Sequence, residues 1–384
     1  MSRRVLVVVG TRPEAIKMAP VVSALRPYAP DIETRVALTG QHTTLVDQVL
    51  QVFDLAPDYD LDVMQEGQSL YDVVHWTLGG IGGILREWRP DVVLVEGDTA
   101  TVFTAALAAY FEHVRVGHVE AGLRTRDKWA PFPEEIFRHL TDVVADFHFA
   151  PTKRAVEALR AEGIPEARVH LTGNTVVDAL LSVARPERAV TDNALRSVID
   201  DADSRLVLLT AHRRETFGAP LRQLLGGVRN LADRMPDIRI VYPVHPNPNV
   251  VEPATQVLGN HPRIHLTAPL DYLDLVTALE RASLILTDSG GIQEEAPTFG
   301  TPVLVLRDVT ERPEAIEAGV AIKVGTDPER LVEQAIATLA KPKPEAAANP
   351  FGDGQAGERI ADILAADLTG RPRTTQDWRP DRSR

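Results

Sequence analysis

Cysteine is absent from all 384 residues, which excludes disulfides, thiolate metal sites and a cysteine nucleophile together. Positive charge is in deficit: 41 Lys and Arg stand against 54 Asp and Glu, for a formal net charge of −13 and a pI near 5.4. Such a surface does not draw nucleic acid or anionic lipid by bulk charge, so neither is expected as a partner. An anionic substrate must then be held by a local cluster of cations and backbone amides. No stretch approaches the roughly 18 consecutive apolar residues of a membrane span. The apolar run Val5–Val9 turns at Gly10 too soon to serve a signal peptide, and a cytoplasmic protein is expected. Neither a full G-x-G-x-x-G nor a P-loop occurs, which weighs against dinucleotide and ATPase chemistry. There is no Gly-x-Ser-x-Gly elbow, no zinc-spaced histidine pair and no aspartate ladder, so neither serine hydrolysis nor a metal requirement is expected.

Short β-branched runs alternate with longer helical patterns along the whole chain, the signature of βαβ units around parallel sheets. The fold class is therefore α/β. The clearest strands are Val5–Val9, Val92–Val95, Val114–Val119, Leu206–Thr210, Ile238–Tyr242, Leu284–Thr287 and Val303–Leu306. Each is apolar nearly throughout, as strands covered on both faces must be. The length favours two domains over one core. The polar stretch Arg185–Asp203 separates two series of alternation, and the restart at Leu206–Arg214 mirrors the start at Val5–Arg12. We place an N-terminal Rossmann-like domain at 1–184 and a second at 185–368, with the substrate cleft between them. A last helix is expected near Gly357–Leu368 and a disordered tail at 369–384, rich in Pro and Arg.

Ionisable residues gather at the strand ends, where open α/β sheets place reactive groups. The first strand runs into Gly10-Thr11-Arg12-Pro13-Glu14-Ala15-Ile16-Lys17. A helix N-terminus there offers amides to an anion, and Arg12 and Lys17 add charge; an ordinary capped helix explains the same segment. Asp98, in Glu96-Gly97-Asp98-Thr99, is a base or hydroxyl binder, or else the cap of the following helix. Glu120 ends another strand in His118-Val119-Glu120-Ala121-Gly122. Glu134 and Glu135 follow in Pro131-Phe132-Pro133-Glu134-Glu135, and for Glu135 a place on the solvated first turn of a helix is preferred. Carboxylates crowded out of water gain the proton affinity that acid–base work at neutral pH requires.

The second half carries the opposite charge. His212, Arg213 and Arg214 stand together after a strand, and His245 follows the next one; forked guanidinium contacts suit a diphosphate. The most specific local signal is Thr287-Asp288-Ser289-Gly290-Gly291-Ile292-Gln293-Glu294-Glu295. Its glycines let backbone amides approach a phosphate without Cβ obstruction. Glu295 could accept hydrogen bonds from ribose hydroxyls. Arg312 lies near another helix start.

Taken jointly, Gly10–Pro20, Thr39-Gly40-Gln41-His42, Glu96–Thr99, His118–Thr125, Pro131–Glu135, His212–Glu215, His245-Pro246-Asn247 and Asp288–Glu295 resemble the non-hydrolysing UDP-N-acetylglucosamine 2-epimerases over residues 4–368. The resemblance implies a glycosyltransferase-B type fold with the last helix crossing back to pack on the first domain, a homodimer, and no cofactor. It also implies interconversion of UDP-N-acetylglucosamine and UDP-N-acetylmannosamine by elimination of UDP to 2-acetamidoglucal and re-addition. By motif match, Asp98, Glu120 and Glu134 form the acid–base group and His212 partners the leaving phosphate. Arg12, Lys17, Arg138, Arg213, His245, Ser289, Gly290, Gly291, Glu295 and Arg312 bind substrate. Gln41, His42 and Gln68 match part of an activator site, with Gly67 where some relatives have arginine. Phe137 replaces the usual asparagine of Glu-Glu-x-Asn-Arg and Arg126 the usual glycine after Leu-Arg-Thr, both expected near the sugar or activator pocket. Alternatives are a hydrolysing epimerase, a glycosyltransferase of the same fold, and a non-catalytic UDP-sugar sensor.

Overall fold

The computed structural model describes residues 2–40, 44–63, 67–185, 188–344 and 348–380. The chain divides into two compact units. The first comprises Met1–Leu181 and Phe351–Ser383, the second Ser182–Pro350. Among the described residues, no helix is long and apolar enough to cross a membrane.

The first unit is built on a seven-stranded parallel sheet. In chain order its strands are β1 (Arg3–Val9), β2 (Ile32–Leu38), β3 (Tyr59–Asp60), β4 (Val92–Glu96), β5 (Arg115–Val119), β6 (Phe147–Ala150) and β7 (Val169–Leu171). Their spatial order is β3-β2-β1-β4-β5-β6-β7. Val5–Val9 and Val92–Val95 are buried almost completely, which explains their apolar runs: helices cover both faces of the sheet. The strand order reverses between β1 and β4, so the connections there leave in opposite directions and open a crevice at the carboxyl ends. Backbones crowd at this point. A Cβ at Gly40, just past β2, would lie 1.9 Å from the Gly10 carbonyl oxygen.

The second unit repeats the plan with six strands: β8 (Arg205–Thr210), β9 (Ile238–Pro243), β10 (Ile264–Thr267), β11 (Leu284–Thr287), β12 (Val303–Val305) and β13 (Ala321–Lys323). All its pairings are parallel, in the order β10-β9-β8-β11-β12-β13, with the reversal between β8 and β11. Leu209, Tyr242, Leu286 and Leu304 form its centre with Leu224, Val228 and Leu331 from the covering helices.

Two boundaries differ from the sequence reading. The helix Thr175–Val183 spans the first crossing, and the chain returns to the first unit at Phe351, so the second unit ends well before residue 368. The last helix, Ala356–Thr369, packs on Arg12–Leu25 so closely that a Cβ at Gly357 would sit 2.8 Å from the Pro20 carbonyl. The tail is also corrected: residues 371–380 lie on the first unit. The Trp378 amide donates to Leu171 O at 2.7 Å, Asp362 accepts from the amides of Thr374 and Thr375, and the Trp378 ring is buried. Composition predicted disorder because it could not weigh one apolar anchor and a few well-placed acceptors against many polar residues.

Candidate active site

In the first unit the carboxyl ends of β1, β4 and β5 gather acids around few cations. The Gly10 amide donates to Glu14 Oε2 at 2.7 Å, while the hydroxyls of Thr11 and Thr99 both donate to Glu14 Oε1 at 2.9 Å. Glu14 thereby joins the end of β1 to the start of the helix Ala100–Phe111. It is 2% exposed, and burial raises its pKa to about 7 against these hydrogen bonds, with Asp98 adding to the rise.

Asp98 does not cap the helix that follows it. Thr99 does, accepting from the Val102 amide, and Asp98 Oδ2 pairs with Arg138 Nη2 at 2.6 Å. Arg138, expected to touch substrate, is buried and clamps Asp98. Its Nη1 also lies 3.5 Å from Glu135 Oε2, near enough for ionic attraction but outside hydrogen-bond geometry. Glu135 is corrected as well: it is 1% exposed and accepts from the amides of Thr125 and Arg126 at 2.9–3.1 Å. These bonds and Arg138 hold its pKa low against burial. It pins the loop rather than decorating a surface. Glu134, one residue earlier, has a buried Oε2 without a hydrogen-bond partner among the described residues.

Glu120 follows β5 with φ +66°. Lys17 Nζ lies 2.6 Å from its Oε2 and 3.1 Å from Glu96 Oε1, and Asn174 Nδ2 donates to its Oε1 at 3.0 Å. Lys17, expected to supplement phosphate binding, is thus committed to two carboxylates. His118 is wholly buried with Nδ1 2.6 Å from Asp142 Oδ1 and Nε2 2.7 Å from Gly97 O, so it anchors the Gly97 turn that presents Asp98. Burial opposes the ionisation of Asp142, yet His118 and Arg124 hold its pKa down at about 2.

The second unit inverts this balance at the ends of β8, β9 and β11. Asp288 is fully buried, and its Oδ2 accepts from the amides of His212 and Arg213 at 2.6 and 2.8 Å. Its Oδ1 stands 3.2 Å from His212 Nδ1 without hydrogen-bond geometry. The His212 ring stacks on His245, centroids 5.5 Å apart and 9° from parallel. Burial lowers the pKa of His212, helped by Arg213 and His245 and opposed by Asp288. Ser289 precedes the helix Gly290–Glu295 without using its hydroxyl as a cap. The open face of Gly290 is met by two guanidinium groups: a Cβ there would lie 3.8 Å from Arg312 Nη2 and 3.9 Å from Arg213 Nη2. Arg312 is held by Glu294, and Arg213 Nε is buried without a hydrogen-bond partner among the described residues. Glu295 lies beneath Gly291, whose Cβ would be 3.8 Å from Glu295 Oε1.

A family model described as UDP-N-acetylglucosamine 2-epimerase matches residues 26–365. The chain belongs to the UDP-N-acetylglucosamine 2-epimerase family. It is 48% identical over 372 residues to the UDP-N-acetylglucosamine 2-epimerase of Escherichia coli K12, covering 94% of this chain and 98% of that protein. Among solved structures it is similar to S. aureus MnaA with UDP, at 43% identity and TM-score 0.89 over 98% of this chain and 100% of that one. It is also similar to the Neisseria meningitidis epimerase bound to UDP-GlcNAc, at 40% identity and TM-score 0.86 over 96% and 100%. The fold is of the glycosyltransferase-B type, and a glycosyltransferase of kitacinnamycin shares it at 13% identity and TM-score 0.63.

Of the activator residues, Gln41 and His42 lie outside the described residues, and Gln68 Nε2 donates to Val63 O at 2.7 Å. Phe137, one departure from the epimerase pattern, is buried, and its ring stacks on Phe103 with centroids 5.1 Å apart. Arg126, the other, takes φ +67°, the conformation that explains a usual glycine. Sequence reasoning quoted Glu14, Glu96 and Asp288 inside motifs without assigning them a role. It passed over Asn174 altogether, although Gly173-Asn174-Thr175 is a polar turn at a strand end like the others.

Proposed function

We propose that the chain interconverts UDP-N-acetylglucosamine and UDP-N-acetylmannosamine by eliminating and re-adding UDP. A carboxylate of the first unit takes the C2 proton as the C1–O bond to UDP breaks, leaving 2-acetamidoglucal. A UDP oxygen then attacks C1, and a proton reaches C2 on the opposite face. The observation that carries this reading is the gathering of Asp98, Glu120 and Glu134 at one end of one sheet. Elimination at an unactivated carbon needs acid–base groups there. The cationic strand ends of the second unit suit the diphosphate: Arg213 and Arg312 offer forked donors, and His212 takes up a proton more readily once the diphosphate joins Asp288 in facing it. Relatives solved with UDP and with UDP-GlcNAc support the same ligand. Ser289, Gly290, Gly291 and Glu295 would then meet phosphate and ribose.

Incubation with UDP-N-acetylglucosamine in heavy water tests this. Proton NMR should show deuterium at C2 of both recovered substrate and product, and the phosphorus spectrum should keep UDP-sugar at equilibrium. Absence of C2 exchange sinks the elimination route; net accumulation of free UDP moves the assignment to the hydrolysing reaction. We further propose a homodimer. The packed helices Ala100–Phe111 and Glu134–Val144 expose Tyr110, Phe111, Ile136, Leu140 and Val143, an apolar area a soluble monomer rarely shows. Sedimentation of a monomer at micromolar concentration would refute it.

A further inference from the structure

Glu96 is buried at the end of β4 and has no part in the chemistry described above. Its register neighbour on β5 is Val119, the residue before Glu120, so the topology sets the two glutamates side by side. Lys17 Nζ reaches both, at 3.1 Å to Glu96 and 2.6 Å to Glu120. The Lys17 side chain is itself 13% exposed. One ammonium thus serves two carboxyl groups in a place nearly closed to water. Two carboxylates sharing such a site do not both ionise at the ordinary pH, because each charge raises the other's proton affinity and burial raises both.

Resting on the function proposed above, we infer that Glu96 is a positioning residue that stores a proton shared with Glu120, leaving Lys17 committed to an anionic Glu120 and the triad without net charge. The charged groups facing Glu96 are Lys17 and Glu14 from the helix Arg12–Leu25 and Glu120 from the end of β5. Burial is the largest influence, raising the Glu96 pKa well above the ordinary carboxylate value; Lys17 opposes this, and the charge of Glu120, a hydrogen bond with it and the charge of Glu14 add to the rise. The stored proton has two effects. It keeps the Lys17 contact and the Asn174 bond on the two oxygens of Glu120, fixing the orientation of that carboxylate. It also removes one negative charge from a site that receives an anionic sugar nucleotide. When the pH rises far enough for Glu96 to ionise, Lys17 is divided between two anions and the site repels its substrate.

The test is Glu96→Gln, which keeps the shape and the neutral charge of the protonated acid. In wild type, kcat/KM should fall on the alkaline side through a rise in KM; in E96Q that fall should disappear. The ratio of E96Q to wild-type kcat/KM should therefore climb by about tenfold per pH unit above the point where Glu96 ionises. Parallel profiles overturn the proposal, since a merely structural glutamate would scale activity equally at every pH. Infrared difference spectra on ligand-free protein with labelled glutamate supply a second reading. At neutral pH, E96Q and E120Q should each lose the same protonated carboxyl band, because either substitution leaves Lys17 with one acid. A band lost in neither variant overturns the proposal, whatever the enzyme does. If the shared band is present and C2 exchange is absent, the triad stands and the epimerase reading falls.

Discussion

The two units place different arrangements of charge on one scaffold. At the switch point of the first, buried acids form the majority and single cations hold them in place: Lys17 serves Glu96 and Glu120, and Arg138 serves Asp98. At the switch point of the second, arginines and histidines stand beside acids: Asp288 takes the amides of His212 and Arg213, Glu294 takes Arg312, and Glu215 and Glu311 both take Arg307. In each unit, side chains of one sign are oriented by partners of the other. On the function proposed above, the first unit would move protons and the second would bind the diphosphate, and the sheet beneath is indifferent to the choice.

That division can be broken by substitution. Asp98→Asn should lower C2 exchange by about 10²- to 10⁴-fold, the worth of a positioned acid–base group, and leave UDP affinity close to wild type. Arg213→Met should do the reverse at smaller scale, weakening UDP by about 10- to 100-fold through loss of a charge-assisted pair, as read by calorimetry. If D98N loses UDP binding as completely as it loses exchange, the two units do not divide the work.

Much of this was legible in the sequence, and what was not has a physical reason. The strands Val5–Val9, Val92–Val95 and Leu284–Thr287 announced themselves because burial on both faces demands unbroken apolar runs. β2, Ile32-Glu33-Thr34-Arg35-Val36, was less plain because its first half is only partly buried and alternates with polar residues. Glu134 stood at the start of a helix, and Asp98, Glu120 and His212 stood after strand ends, where reactive groups are sought. Asp288 and Glu96 stood there too, but nothing in a linear pattern tells an acid that meets substrate from one that fixes its neighbour. That distinction lies in a 2.6 Å hydrogen bond across 76 residues or a lysine shared between acids at the ends of two strands.

The comparison extends to pH. Not every buried acid of the first unit is held low as Asp142 and Glu135 are: Asp178, whose Oδ1 accepts from the Gly357 amide and whose Oδ2 has no hydrogen-bond partner among the described residues, is pushed by burial to about 7. In the second unit Glu311 is held low by Arg307 against burial. The two kinds of acid respond to pH with opposite signs. A raised acid stabilises fully below its unfolded pKa and loses that contribution as pH rises through its folded value, here between about 4 and 7. A lowered acid loses its contribution as pH falls. All four tryptophans, Trp76, Trp88, Trp129 and Trp378, belong to the first unit, so their fluorescence reports that unit alone. Denaturation followed by tryptophan should show the first unit weakening from pH 4 to pH 8. Asp178→Asn should flatten the decline, gaining on the order of 2 kcal/mol over wild type at the upper end. An unchanged slope would mean that Asp178 stays charged in the folded unit.

The smallest effect concerns backbone strain. Arg126 and Glu120 have nearly the same left-handed backbone, φ +67° and +66°, a conformation that disfavours any residue with a Cβ by about 1–2 kcal/mol. At Glu120 the geometry has a use: it turns the carboxylate onto Lys17 and Asn174, and glycine there would remove the group the turn presents. At Arg126 the interaction that matters is its backbone amide, which donates to Glu135 Oε1 at 2.9 Å; the side chain is exposed. Glycine keeps that bond and relieves the strain, offset in part by a freer unfolded chain. Arg126→Gly should therefore stabilise the first unit by about 0.5–1 kcal/mol in the same tryptophan-followed denaturation. A loss of stability instead would show that the arginine side chain itself holds the loop, and that its interactions outweigh the strain of departing from the family's glycine.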